Sequence, residues 1–271
     1  MKLNLSVLAF LLVVSSAFSY EIRVQDEKNR SVGYGNWVVK IDGEYLLQQQ
    51  FLRSGHVVLD VGANIGEWSE HALMAEPAIQ LYSFEPLTIE CNKLRRNLAP
   101  YSNYRIWNLA LSDEKGRSNY YYYNDIPEHA GLSGFFYREV LRNDENFSDP
   151  EVIQVPCDTL EFFCKEQGLE KIDFLKIDTE GAEWKVIQGA KKLIEDHLIT
   201  AIQFEYGGCY EDANTTLEQV FNFFQSNNYL VFRIFEEGLI SVNEWDSKLE
   251  NYEISNWVAI TREAFSIYFP S

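Results

Sequence analysis

Carboxylates cluster at two points of the sequence where an apolar, strand-like stretch ends. Asp178, Glu180 and Glu183 follow the stretch "IDFLKI", and Glu205 closes the stretch "AIQFE". Because parallel strands end at the same edge of a sheet, we expect these four acids to converge. A positioned carboxylate can remove a proton from a hydroxyl, hold a polar substrate or bind a divalent cation. The sequence therefore indicates proton-transfer or cation chemistry at this edge.

A second feature is the stretch "VVLDVGANIGEWSEHAL", in which an apolar segment passes through a turn into a helical segment. Asp60 lies near the end of the apolar segment, and Gly62, Asn64 and Gly66 supply the turn. A strand, turn and helix in this order place free backbone N–H groups where α/β folds bind nucleotide-like ligands. Asn tolerates positive φ better than most non-glycine residues, so it suits such a turn. The stretch predicts a cofactor loop.

Two classes of cofactor use this geometry. The NAD fingerprint is G-x-G-x-x-G, but Asn64 and Glu67 stand where its second and third glycines belong, and a pyrophosphate would meet Glu67. S-adenosylmethionine carries no phosphate, so Asp60 can lie near its amino-acid or sulfonium end without anionic repulsion. Glu85, in "SFEP" at the end of the next strand-like stretch, is placed to accept hydrogen bonds from both ribose hydroxyls. The sequence favours S-adenosylmethionine.

Strand-like and helix-like stretches alternate along the chain, which is typical of an α/β fold with a mostly parallel sheet. "HVVLDVG" has the continuous apolar character of a strand buried on both faces, and "YRIWNLALS" is expected to form one later strand. The final strand-like stretches, "YLVFRIF" and "ISNWVAITR", have no helix between them, so we expect them to pair antiparallel. The polar segment from Asn124 to Pro150 differs from its flanks, and we interpret it as an insertion on the substrate side.

Five stretches, taken in order, resemble the motifs of the FkbM-type methyltransferase family. They are "VVLDVGANIGEWS", "SFEP", "LALSD", "IDFLKIDTEGAEWKVIQGAKKLI" and "AIQFEYGG", and they cover Val57 to Tyr206. The resemblance implies a Rossmann-like seven-stranded class I methyltransferase fold of the α/β class, with a mostly parallel sheet and an antiparallel C-terminal strand. It further implies S-adenosylmethionine as methyl donor and O-methylation of a hydroxyl on a sugar, glycan or natural product.

The resemblance gives the strand-end acids more specific roles. Asp178, by its place in the family's strand-end motif, is the first candidate for the reacting centre, as base or as acceptor of the substrate hydroxyl, and also for cofactor contact. Glu180 and Glu205 are candidates for holding the substrate, or a divalent ion if one is used. For Glu183 the favoured interpretation is an acid in the first turn of a helix, stabilised by the helix dipole.

Four further candidates come from loops and strand ends. By analogy with the family, Ala110, Leu111 and Ser112 in "LALSD" line the adenine. His129, in the inserted segment, could serve as the base, although a lone loop histidine is usually just exposed. The predicted cofactor contacts are Asp60, Gly62, Asn64, Gly66, Glu85, Ala110, Leu111, Ser112 and Asp178.

The beginning of the chain predicts export. Lys2 precedes an apolar run from Leu3 to Val14, and Ala17 and Ser19 are small residues before Tyr20, which is the pattern of a signal peptide. The run is shorter than the roughly 20 residues that a membrane span needs. We expect residues 1–19 to be removed and residues 20–271 to form a single methyltransferase domain, with an uncleaved membrane anchor as the alternative.

Composition limits the partners. The formal net charge is −18 and no basic block offsets it, which argues against a nucleic-acid substrate. The four cysteines form no C-x-x-C pair, so we expect buried thiols and no zinc site. Two alternatives to the methyltransferase stay open, namely a catalytically silent secreted binding protein of the same fold and an NAD-linked oxidoreductase.

Overall fold

The computed structural model describes residues 23–26, 43–124, 131–142, 148–236 and 238–269. Within these residues the strands are β1 (Arg23–Asp26), β2 (Val57–Val61), β3 (Gln80–Phe84), β4 (Tyr104–Trp107), β5 (Ala110–Leu111), β6 (Gly116–Tyr122), β7 (Glu151–Asp158), β8 (Ile172–Ile177), β9 (Ile199–Tyr206), β10 (Tyr229–Phe235), β11 (Gly238–Val242) and β12 (Ser255–Thr261). The α-helices are α1 (Glu44–Phe51), α2 (Glu67–Ala75), α3 (Thr88–Asn97), α4 (Leu160–Gln167), α5 (Glu183–Gly189), α6 (Lys191–Glu195), α7 (Cys209–Asp212), α8 (Leu217–Ser226) and α9 (Arg262–Tyr268).

The main sheet has the strand order β1-β11-β10-β12-β9-β8-β2-β3-β4. From β4 to β9 all neighbouring strands are parallel, whereas β12 runs antiparallel to both β9 and β10. The seven strands from β4 to β10 therefore form a mostly parallel sheet with one reversed strand near the C-terminus. This confirms the predicted Rossmann-like class I fold. Two strands that were not predicted from the sequence, β11 and β1, extend the sheet beyond β10.

The core follows from the period-two alternation of the buried strands. Val58 pairs with Phe174 across β2 and β8, and both belong to the apolar cluster on one face of the sheet. Their neighbours Leu59 and Leu175 are also paired and belong to the cluster on the opposite face. Because both faces are covered, the strands are apolar nearly throughout, as the sequence indicated.

One expected strand is two strands. The stretch "YRIWNLALS" divides at Asn108, whose side-chain amide donates to the carbonyl oxygens of Glu85 and Pro86 at 3.0 and 2.7 Å. Upstream, β4 joins the main sheet, whereas β5 joins a small sheet with the order β5-β7-β6. The prediction of a single strand was wrong because a side-chain hydrogen bond to the neighbouring strand end turns the chain at this point.

The remaining global predictions concern thiols and membrane spans. All four cysteines, which lie in the described residues, are buried and free, as expected. Among the described residues no helix combines the length and the apolar composition that crossing a bilayer requires. The predicted leader, residues 1–19, lies outside the described residues.

Candidate functional site

The loop between β2 and α2 is held tightly against neighbouring strand ends. Gly62, Asn64 and Gly66 have φ values of 81°, 48° and 93°, so the loop uses the left-handed region three times. The backbone N–H of Gly62 donates to the carbonyl oxygen of Phe84 at 3.0 Å. A Cβ built on Gly62 would lie 1.7 Å from the carbonyl oxygen of Asp178. Glycine is required here because β2 and β8 end in direct backbone contact.

Glu85 lies directly after β3 and braces the same loop. It is 4% exposed, and its Oε2 accepts the backbone N–H of Asn64 at 2.9 Å while its Oε1 accepts that of Leu87 at 2.8 Å. Burial, reinforced by the nearby charges of Glu90 and Asp60, raises the pKa of Glu85 to about 7, although the backbone hydrogen bonds favour the charged form. A carboxylate has about four lone-pair sites, so Glu85 keeps acceptor capacity for a ligand.

A row of polar residues crosses the sheet beneath the loop. Ser83, Asp60, Lys176 and Gln203 are successive register partners on β3, β2, β8 and β9. Ser69 Oγ donates to Asp60 Oδ2 at 2.7 Å and lies 2.8 Å from Ser83 Oγ. The row is almost completely shielded from solvent, so its members depend on partners inside the protein.

Lys176 is the cation of this row. Its Nζ lies 3.3 Å from Asp60 Oδ1 and 3.2 Å from Asp178 Oδ2. Burial favours the neutral amine, but the carboxylates of Asp178 and Asp60 outweigh it and raise the pKa of Lys176 above its usual value. Lys176 therefore stays charged and links the cofactor strand to the acidic strand end.

Three of the four predicted acids converge as expected. Asp178, Glu180 and Glu205 each offer a carboxylate oxygen, and these atoms lie within 4.8 Å of one another. Burial and repulsion from Asp178 raise the pKa of Glu180 to about 7, although Arg138 favours its charged form. Burial, together with the charges of Asp178 and Glu180, raises the pKa of Glu205 well above its usual value. Burial and mutual repulsion therefore favour the protonated form of Glu180 and Glu205 in this cluster.

Arg138 links this cluster to the segment interpreted as an insertion. Its guanidinium donates to Glu180 Oε2, and its Nε lies 3.4 Å from Asp212 Oδ2. The backbone N–H of Arg138 donates to the hydroxyl of Tyr123 at 3.1 Å. The described part of the segment is thus anchored beside the acidic strand end by an ion pair and by a hydrogen bond to Tyr123, which directly follows β6.

Glu183 fastens the loop that carries Asp178 and Glu180. It is fully buried in the first turn of α5, where its carboxylate accepts the backbone N–H groups of Thr179 at 2.6 Å and Gly181 at 3.0 Å. Burial raises the pKa of Glu183 to about 7. These contacts agree with the interpretation of Glu183 as an acid at a helix start. Glu180 itself has a φ of 55°, so the loop stores backbone strain at the site.

At this edge of the sheet, the described residues line a strand-end cavity and a loop cavity. The strand-end cavity, of about 170 Å³, is lined by these predicted site residues: Gly62, Asn64, Glu85, Ala110, Leu111, Asp178 and Glu180. The loop cavity, of about 480 Å³, is lined by Gly62, Asn64, Gly66, Glu67, Glu90, Lys93, Lys176 and Asp178, among others. Since Gly62, Asn64, Glu90 and Asp178 line both, one ligand could extend from one cavity into the other.

Some predicted residues lie elsewhere. Asp60 is fully buried and lines neither cavity, so it lies under the loop in contact with Ser69 and Lys176. Ser112 is buried, and its hydroxyl donates to Asp113 at 2.9 Å. Glu205 lines neither cavity but stands beside Asp178 and Glu180. His129 lies outside the described residues.

Lys176, Arg138 and Glu90 belong to the site but are not among the residues predicted from the sequence. Lys176 had a visible signal, because a lysine inside the otherwise apolar strand "DFLKI" needs a buried partner, and Asp60 occupies the equivalent place in "VVLDV". Arg138 had no such signal in the sequence, because its partners depend on the path of the inserted segment. Glu90 has the spacing of an ordinary surface residue on α3, yet it lines both cavities.

The strand order and the loop define a Rossmann-like methyltransferase domain. The family described as Methyltransferase FkbM domain matches residues 60–231, which is more than half of the chain. The chain therefore belongs to the FkbM methyltransferase family, as the sequence motifs indicated.

Two relatives illustrate the family. The 2-O-methyltransferase NoeI of Sinorhizobium fredii is 34% identical over 145 residues, which cover 51% of this chain and 58% of NoeI. The 31-O-demethyl-FK506 methyltransferase FkbM of Streptomyces tacrolimicus is 31% identical over 170 residues, covering 54% of this chain and 64% of that protein. The matches thus span about three fifths of each relative.

Among solved structures, precorrin-6y C5,15-methyltransferase from Geobacter metallireducens superimposes with a TM-score of 0.42 at 11% identity, covering 80% of this chain and 87% of that one. The fold assignment rests on the strand order, since a similarity of this size carries no argument of its own.

The lining of the cavities fits S-adenosylmethionine, the methyl donor of this family. In the strand-end cavity the charged lining residues among the described residues are Glu85, Glu90, Asp178 and Glu180, all of them acids. Such a lining suits a cationic sulfonium and a ribose that donates hydrogen bonds. Glu67 lines the loop cavity at the start of α2, and with Glu44, Glu90 and Asp178 the acids among the described lining residues outnumber the two lysines, which disfavours a pyrophosphate. The donor set agrees with S-adenosylmethionine better than with NAD.

Proposed function

We propose that this protein is an S-adenosylmethionine-dependent O-methyltransferase that acts on a hydroxyl of a sugar, glycan or natural product. The observation that carries the proposal is the position of Asp178. It lines both cavities and stands beside Glu180 and Glu205. Both relatives described above are named as methyltransferases, one of them as a 2-O-methyltransferase. A carboxylate at the border of a cofactor cavity is placed to remove the proton from a substrate hydroxyl that receives the methyl group.

In this proposal Asp178 is the base. When bound, S-adenosylmethionine supplies a methyl group activated by its sulfonium. Asp178 accepts the proton of the acceptor hydroxyl at a carboxylate oxygen, and Lys176, 3.2 Å away, stabilises the negative charge that Asp178 needs for this role. His129 is the alternative base.

The neighbouring acids orient the acceptor. Burial raises the pKa of Glu205 well above its usual value and so favours the protonated form, which can donate a hydrogen bond. Glu180, held by Arg138, can accept one. A neutral polyol offers both donors and acceptors, so such a pair suits a sugar hydroxyl group. The three carboxylates could instead hold a divalent cation, and a metal requirement is therefore part of the test.

The remaining predicted residues support the cofactor. Glu85 accepts hydrogen bonds from the ribose, and Ala110 and Leu111 pack against the adenine. Asp60 acts from beneath the loop by positioning Lys176, and Ser112 supports the end of β5. The acidic lining also favours a neutral or cationic acceptor over a nucleic acid.

The first experiment is isothermal titration of residues 20–271 with S-adenosylmethionine, with NAD as the parallel ligand and with and without EDTA. We expect binding of S-adenosylmethionine alone, and transfer of a labelled methyl group to members of a sugar and polyol panel. Asp178→Asn should bind the donor yet transfer about a hundredfold more slowly or worse, whereas His129→Ala should transfer normally. A folded sample that binds neither ligand would point to a silent binding protein instead.

We also propose that the chain is exported. The support is the pattern of residues 1–19, and the test is expression of the full chain followed by N-terminal sequencing of the exported product. A mature N-terminus at Tyr20 is expected, while a membrane-bound product that keeps Met1 would indicate an uncleaved anchor. Retention of the soluble chain in the cytoplasm would contradict export.

A further inference from the structure

Glu90 has a contact pattern that packing does not explain. It lies in the first turn of α3, is 2% exposed, and lines both the strand-end cavity and the loop cavity. Its Oε1 accepts from Lys93 Nζ at 3.0 Å. Its Oε2 is buried and has no hydrogen-bond partner among the described residues.

The neighbouring residues provide a partner for only one of the two carboxylate oxygens of Glu90. A first-turn acid is favoured by the helix dipole, and the pair with Lys93 is an ordinary i,i+3 contact on a helix. Both would be equally available to an exposed glutamate. An unpaired buried carboxylate oxygen is costly, because the water it has lost is not replaced by another donor. The missing donor is therefore expected from something that enters the cavity.

We propose that Glu90 is a second ribose acceptor, whose Oε2 receives a hydrogen bond from one hydroxyl of the S-adenosylmethionine ribose beside Glu85. This rests on the proposed cofactor and adds a binding residue to it. Five positions separate the two acids, and both line the strand-end cavity.

The ribose is the part of the donor that fits best. Each carboxylate oxygen of Glu85 already accepts a backbone N–H, so each has about one lone pair left for a ligand, and a second acid adds acceptor capacity for a diol. The two carboxylates are close enough for the charge of Glu90 to raise the pKa of Glu85. With a ribose between them, Glu85 and Glu90 can each accept a hydrogen bond from one of its two hydroxyls. Without such a donor, the two neighbouring carboxylates repel each other.

The test measures ligand affinity with S-adenosylhomocysteine, its 2′-deoxy and 3′-deoxy analogues, and S-adenosylmethionine, by isothermal titration. Glu90→Ala should weaken binding of S-adenosylhomocysteine roughly tenfold, the loss typical of a hydrogen bond to a charged group. Glu90→Gln, which keeps an acceptor oxygen, should restore part of that loss. For one deoxy analogue the effect of Glu90→Ala should shrink to less than threefold.

The control is Glu166→Ala, which removes an exposed glutamate from α4 and should leave all four affinities unchanged. Thermal unfolding of each variant shows whether it is folded. If Glu90→Ala does not fold, the affinities are compared between Glu90→Gln and the unmodified protein.

Three outcomes overturn the inference. Equal losses with both deoxy analogues would exclude a ribose contact. A larger loss for S-adenosylmethionine than for S-adenosylhomocysteine, with no rescue by Gln, would show that Glu90 acts by charge on the sulfonium. Unchanged affinity in Glu90→Ala would show no contact, while the proposed function would still stand. Absence of donor binding in the unmodified protein would overturn the proposed function itself.

Discussion

Lys176 and Asp60 form a buried ion pair, with 3.3 Å between Nζ and Oδ1, at register-paired positions of adjacent parallel strands. Asp60 is completely shielded and Lys176 is 5% exposed. The pair therefore lies inside the sheet, and it reaches the functional site because the same ammonium group contacts Asp178 at 3.2 Å. The acid predicted to touch the cofactor and the acid predicted to react are thus joined through one lysine.

Removal of Lys176 should be strongly destabilising. Lys176→Met keeps the length of the side chain but leaves Asp60 as an unpaired buried carboxylate, so we expect the free energy of unfolding to fall by about 3 kcal/mol or more. Urea denaturation measures the change. The double variant Lys176→Met/Asp60→Asn is the matched control, because it removes both charges and should recover part of the loss. A loss below about 1 kcal/mol in the single variant would show that the pair is not needed.

Alanine substitutions at Gly62 and Gly55 separate the effect of a steric clash in the cofactor loop from the effect of positive φ. Their φ values are 81° and 82°, but a Cβ on Gly62 would meet the Asp178 carbonyl oxygen at 1.7 Å, whereas one on Gly55 would meet nothing within 4 Å. Gly55→Ala should cost roughly 1 kcal/mol for the backbone conformation alone. Gly62→Ala should cost about 2 kcal/mol more, because β2 and β8 must separate. Urea denaturation gives both values, and equal costs would contradict the close approach.

Affinity for S-adenosylmethionine should rise with pH. The pKa of Glu85 in the folded protein is about 7, and a ligand that donates hydrogen bonds prefers the ionised carboxylate. Binding then lowers this pKa and releases protons, so affinity should increase roughly tenfold between pH 6 and pH 8 and level off above. Titration in buffers of different ionisation enthalpy measures the released protons.

The control for this pH dependence is a pair of substitutions. Glu85→Gln should remove most of the dependence, whereas Glu166→Gln, on the exposed face of α4, should keep it. An affinity that falls with rising pH would contradict the assignment of Glu85 as a ribose acceptor.

The sequence predicted most of the fold because its strands are buried on both faces and read as short apolar runs between turns. It also located Asp178, Glu180 and Glu205, since parallel strands end at one edge. The division of "YRIWNLALS" was not predictable from periodicity, because it depends on a hydrogen bond from Asn108 to the backbone of Glu85, directly after β3. Nor was the contact of Arg138 with Glu180, which depends on how the inserted segment returns to the sheet.

The protonation of Glu205 gives the last prediction. Burial and the neighbouring acids raise its pKa in the folded state, so between the unfolded and the folded pKa the native protein binds more protons than the unfolded chain. Stability is then lost as pH rises above the unfolded pKa of about 4.3. Glu205→Gln, a permanently neutral mimic of the acid, should remove this loss.

We therefore expect Glu205→Gln to raise the free energy of unfolding at pH 8 and to change it little at pH 5. Urea denaturation at both values measures the difference, and Glu166→Gln, which replaces an exposed acid, should show no such pH dependence. An equal effect of Glu205→Gln at pH 5 and pH 8 would mean that Glu205 is ionised throughout. In that case it could not donate a hydrogen bond to the substrate, and its role would be limited to accepting one.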